Sequence, residues 1–165
     1  MILNIHDWIF DVNIDATMAL SAAQANDHCQ CGYCRNFYST IDRSCPHLRS
    51  FLSQFGLDVD GPDEMCPYEP TIYEVTYLVQ GHILQHGTSP LYIDGVPLVI
   101  KTADELDFHT SHPKPYFGLN IGLVEAPWIL DEPKEDVVSP ANEPACLERM
   151  EKKLLAKMEA EKYYS

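Results

Sequence analysis

With 165 residues, 45% of them hydrophobic, and a formal net charge of −14, the chain is long enough to bury a core of its own without disulfide staples. No apolar run approaches the roughly 18 residues that span a bilayer, and the opening Met1-Ile-Leu-Asn-Ile-His-Asp7 lacks the basic flank and apolar stretch of a signal peptide, so no membrane partner and a cytoplasmic location with reduced cysteines are expected. Between Arg49 and Lys101 there is no Lys or Arg, while Asp58, Asp60, Asp63, Glu64, Glu69, Glu74 and Asp94 accumulate; such a surface repels phosphate backbones and argues against nucleic-acid binding.

Trp8, Phe10, Val12 and Ile14 alternate with mostly polar residues, which predicts a half-buried strand over 8–14. Asp15 reads as the N-cap of a short Ala-rich helix from Ala16 to about Ala25, ending before Asn26-Asp27. Cysteines follow at once, in Cys29-Gln-Cys31-Gly-Tyr-Cys34, and a helix is expected from Tyr33 to Ile41. Ser44 or Cys45 then opens another helix, with Pro46 at its first position and Leu48, Phe51, Leu52 and Phe55 on one face, stopped by Gly56.

Residues 58–70 carry three prolines among acids and read as a loop. Beyond it the texture turns β-branched and aromatic. Strands are expected at Thr71–Val79 and Tyr116–Val124, with a hairpin of Leu91–Ile93 and Val96–Ile100 around Asp94-Gly95. Residues 134–144 are a proline- and acid-rich linker after a single domain of residues 1–133. Residues 145–165 are an amphipathic helix with a narrow seam of Leu147, Met150, Leu154 and Met158. That seam is expected to pair with another copy of the chain as a homodimer, the competing expectation being that it folds back over the sheet. The fold class is α+β, with an N-terminal strand and short helices followed by a largely antiparallel sheet.

The close-set cysteines are where spacing alone argues chemistry. Zinc takes four thiolate or imidazole ligands in a tetrahedron, two of them commonly from one tight knuckle. Cys31 and Cys34 make the knuckle, Gly32 allows its turn, and Cys29 and Cys45 complete the expected set, with His28 or His47 as substitutes. Cys66 and Cys146 are expected to stay out. Cys31-Gly-Tyr-Cys34 before a helix also has the form of a dithiol redox site, with Arg35 adding positive charge. Against that stands the absence of a buried apolar strand just upstream. The third reading is that the thiols are small buried groups pinning a turn to the core.

Cys29–Phe37, with its Cys-x-Cys-x-x-Cys-Arg-Asn-aromatic run, resembles an uncharacterised bacterial family of small proteins. Trp8–Asp11, Phe51–Asp58, Gly81 to Gly87 and Pro127–Leu130 extend the similarity over most of residues 5–133. Since that family has no assigned activity, the resemblance implies a fold and nothing catalytic.

Other groupings are weaker. His82 and His86 would be about 13 Å apart on a strand, too far to share an ion. Asp58 to Glu64 has the residues of a calcium loop without its order. His109 and His112 could join Asp107 in a pocket. Serine elbows, phosphate loops and dinucleotide glycine patterns are absent. The expected function is an acidic structural or interaction module with a clustered-cysteine turn. The alternative is a thiol- or zinc-dependent enzyme, or a redox protein, centred on Cys31 and Cys34.

Overall fold

A single strand of fourteen residues organises the sheet in the computed structural model, which describes residues 1–69, 71–132 and 155. The elements run β1 (Ile2–Ile5), β2 (Trp8–Val12), α1 (Ile14–Asn26), α2 (Gly32–Ser44), α3 (Leu48–Ser53), β3 (Glu64–Glu69), β4 (Ile72–Gln85), β5 (Leu91–Ile93), β6 (Val96–Thr102) and β7 (Tyr116–Glu125). The strands pair antiparallel in the order β1-β2-β4-β7-β6-β5, and β3 also pairs with β4. This is an α+β architecture. The linker and the C-terminal amphipathic helix expected at 134–144 and 145–165 fall outside the described residues, save Leu155.

Period-two alternation along β4 separates the two faces of the sheet. Tyr73, Val75, Tyr77 and Val79 turn toward Phe37 and Ile41 of α2, Leu48 and Leu52 of α3, and Phe55, all in one buried core. Phe117, Leu119 and Ile121 of β7 join them. On the other face Asn120 donates to both Glu74 Oε1 and Thr76 Oγ1 at 2.8 Å, and the Tyr68 hydroxyl donates to Glu74 Oε2 at 2.5 Å. An irregularity opposite Glu74 then shifts the register, so that Leu123 packs with Tyr68 while Val124 returns to the main core.

Several sequence expectations are corrected here. The helix after the first strand is capped by Asn13, whose Oδ1 accepts from Ala16 N at 3.1 Å; it therefore starts two residues before the expected Ala16, and the strand stops at Val12. Pro46 does not open α3. Instead α2 runs on to Ser44 with Cys45 as its C-cap, and α3 begins at Leu48. The acidic stretch 58–70 is not all loop, since Glu64–Glu69 forms β3 and tolerates Pro67 because it pairs with β4 alone, beside a register shift. β1 was not anticipated. The Asp94-Gly95 hairpin matches its expectation, with φ of +51° and +77° at the two turn residues.

Two polar anchors hold loops against this frame. His112 Nε2 lies 2.8 Å from Asp63 Oδ1, both side chains only 5% exposed, and Asp63 Oδ2 accepts from Leu78 N at 2.7 Å. His112 thus binds the segment before β7 to the residue that precedes β3. Gly81 lets β2 approach β4: its φ is +149°, and a Cβ there would lie 2.1 Å from the Asp11 carbonyl oxygen. Gly81→Ala is expected to lose about 3 kcal/mol, lowering the melting temperature by roughly 10 °C. Gly95→Ala, where a Cβ meets nothing within 4 Å, should cost about 1 kcal/mol through its backbone angle alone. Thermal melts of the two variants check the contrast.

Candidate metal centre

The thiol cluster forms where the chain turns from α1 into α2. Cys31 is the N-cap of α2, with extended backbone (φ −65°, ψ 160°) and no side chain capping the first turn. Cys34, three residues on, faces inward and is buried, while Cys29 and Cys31 are exposed. The three Sγ atoms lie within 4.8 Å of one another. A tetrahedral zinc with bonds of about 2.3 Å sets its sulfurs about 3.8 Å apart, so small rotations of exposed side chains would bring these thiols to a common ion.

The residues after Cys34 fix the turn. Arg35 Nε donates to the Gln30 carbonyl at 2.8 Å, and its Nη2 sits 2.6 Å from Glu132 Oε1. The guanidinium therefore folds the cysteine turn back on its helix. Asn36, wholly buried, donates to the carbonyls of Ala126 (3.3 Å) and Pro127 (3.2 Å) and accepts from Ile129 N at 2.9 Å. Phe37 enters the core. Each member of the Cys-Arg-Asn-aromatic run has a separate structural task. Trp128, carried by the segment Asn36 holds, packs on Tyr33, and its ring would lie 3.2 Å from a Cβ at Gly32.

The three thiols differ electrostatically. The Cys31 backbone N–H, 3.5 Å from Cys29 Sγ, together with the Cys31 thiol, holds Cys29 below the ordinary thiol range, outweighing a small opposing effect of burial. Burial drives Cys34 far up, and the neighbouring Cys31 and Cys29 add to the rise. Cys29 thus ionises more readily than Cys34, which keeps its proton until something displaces it.

Cys45 and His47 do not belong to this group. Cys31 and Cys45 cap opposite ends of α2, and fourteen residues of helix rise place them about 20 Å apart. Cys45 is buried, its thiol contacts the Ile93 carbonyl at 3.6 Å, and burial first, then Asp94, raises it to about 12. His47 Nδ1 lies 2.5 Å from Asp94 Oδ1 at the hairpin turn. Burial of Asp94 is outweighed by the side-chain and backbone hydrogen bonds from His47, which hold its carboxyl below its ordinary range. His28 stays close by: its ring stacks on Tyr38 at 4.3 Å, with Nδ1 3.3 Å from the Asp60 carbonyl. Cys66 lies in β3, beside Leu123 and Tyr68. Cys146 is outside the described residues.

Among the described residues, the remaining candidates form no further cluster of three ligand atoms. His82 lies in β4 opposite Asp11 and His86 follows the strand's end, against Trp8. Asp58 and Asp60 face Arg49 at 3.9 and 4.0 Å, so that turn is arranged around a guanidinium. A helix, α1, stands where a thioredoxin-like site would have a strand. An open cleft of about 740 Å³, lined by Asn13, Asp15, Gln80, His82 and Pro115 among others, and two of about 320–330 Å³ include no cysteine. Among the described residues, three or more ligand atoms converge only at these thiols. No helix among the described residues is long and apolar enough to cross a membrane.

No family model, curated protein or solved structure matches the chain.

In the metal-free, reduced protein, Cys29 should be alkylated first. Its rate should climb with pH through a midpoint below the about 8.5 of a free thiol, because a lowered pKa populates the thiolate at lower pH. Cys34 and Cys45 should resist until the protein unfolds. Peptide mass spectrometry after timed alkylation at several pH values measures both.

Proposed function

We propose that this protein is a metal-binding module in which Cys29, Cys31 and Cys34 hold a thiophilic d10 cation, zinc in the first instance. One observation carries the reading: three Sγ atoms within 4.8 Å of one another at the start of a helix. The exposure of Cys29 and Cys31 also counts against thiols that merely fill a core. Soft thiolates favour zinc and monovalent copper over magnesium or calcium. The dipole of the helix N-terminus favours the negative charge of the ionised thiols. The metal would clip the turn between α1 and α2 to the first turn of α2, leaving one coordination position on the exposed side.

The core of α2 closes through Phe37, Ile41 and Asn36 without the thiols, so the apoprotein is expected to fold. The metal then adds binding energy on top of that fold. At a zinc concentration one hundred times Kd this amounts to about 2.7 kcal/mol, a shift of several degrees in the melting temperature.

Protein purified with reductant should hold one equivalent of zinc by elemental analysis, and a chelator should lower its melting temperature without unfolding it. Cys29→Ser, Cys31→Ser and Cys34→Ser should each cut zinc affinity at least tenfold (about 1.4 kcal/mol). Cys45→Ser and Cys66→Ser should retain it. A protein that takes up no zinc at micromolar concentration, and whose alkylation pattern zinc does not change, would sink the reading.

A further inference from the structure

We propose that His28 is the fourth ligand of this centre, leaving its stack on Tyr38 to bind the metal through Nε2. The inference rests on the three-thiol reading above and adds what completes it. Zinc bound by protein is most often four-coordinate, and among the described residues only three ligand atoms converge. α2 removes Cys45 and His47 by its length. His28 immediately precedes Cys29 in the chain. Its ring stacks on Tyr38, parallel within 13°.

The second observation is the hydrogen bond at the other ring nitrogen. Nδ1 lies 3.3 Å from the Asp60 carbonyl oxygen. A carbonyl can only accept, so Nδ1 donates, and in the neutral ring Nε2 then carries the lone pair. A histidine whose Nδ1–H is held by a backbone carbonyl has the outer-shell arrangement that orients zinc-bound imidazoles and raises their basicity. The ring is therefore in the tautomer a metal needs, with its acceptor nitrogen uncommitted to Asp60. Nε2 is not yet within the 4.8 Å grouping of the thiols, so the ring has to turn off the Tyr38 face. A half-buried imidazole makes such a turn readily, and a metal–nitrogen bond is far stronger than a stack of two rings.

Loading would then connect two parts of the chain. The turn at residues 28–31 already touches the Asp58–Gly61 turn through His28 and Asp60. Coordination through Nε2 would bring that turn under the metal's control while releasing one face of Tyr38.

The test is X-ray absorption at the zinc edge of the full-length, zinc-loaded protein. Three sulfurs and one nitrogen are expected, with the outer-shell scattering characteristic of imidazole. His28→Ala should lose the imidazole signal and at least about tenfold in zinc affinity, the scale on which even outer-shell partners act. His28→Cys should give a four-sulfur centre and recover the affinity, which a merely structural role for the ring would not do. Circular dichroism of both variants confirms the fold. A wild-type spectrum of three sulfurs with oxygen, or of four sulfurs, would overturn the assignment to His28 while leaving the thiol centre in place. A spectrum unchanged in His28→Ala would do the same. Absence of bound zinc would end both proposals.

Discussion

The arrangement depends first on one buried amide. Asn36 sits at zero exposure inside α2, and its side chain satisfies the carbonyls of Ala126 and Pro127 and the backbone N–H of Ile129. A buried amide without partners would be costly, so this geometry strongly specifies how α2 lies against the end of β7. With α2 fixed, its first turn is fixed, and with it the position of Cys34. Arg35 then needs only to reach Gln30 and Glu132 to close the preceding turn, which sets Cys29 and Cys31 beside Cys34. The thiols converge because the first turn of α2 and the turn before it are held on two sides, one by an amide and one by a guanidinium.

Much of this order was legible in the residues. Alternation marked β2, β-branched and aromatic texture marked β4 and β7, Asp94-Gly95 marked the hairpin, and the break at Asn26-Asp27 marked the approach to α2. β3 was hidden because Pro67 and the surrounding acids have the composition of a loop. Only pairing with β4, invisible in sequence, makes them a strand. β1 is short, and its pattern of half-buried residues carries little periodic signal. α1 began early because Asn13, one of the strongest capping residues, lay just before the favoured Asp15, and capping types alone do not rank such neighbours.

Of the candidate ligands, the near thiols lie together and Cys45 lies at the far end of α2. Cys29, Cys31 and Cys34 converge as short spacing requires. Including Cys45 conflicted with the helix expected between it and Cys34, since even nine helical residues separate their ends by about 13 Å. From sequence alone Arg35 is a positive charge beside the thiols. In the fold its guanidinium is engaged by Gln30 and Glu132, and the lowering at Cys29 comes from Cys31 instead. Asn36 appeared only as a letter in a motif. Its task depends on carbonyls ninety residues away, which no local pattern displays.

The exposure of Cys29 and Cys31 has a consequence for how molecules of this protein meet. Two chains that collide at this corner in air can become joined sulfur to sulfur, and the product would migrate and scatter light as a dimer. Such a pair would owe nothing to a helix at 145–165. Self-association observed without reductant therefore reports the oxidation history of the sample, and only an assembly that survives thiol reduction speaks to a surface evolved for contact.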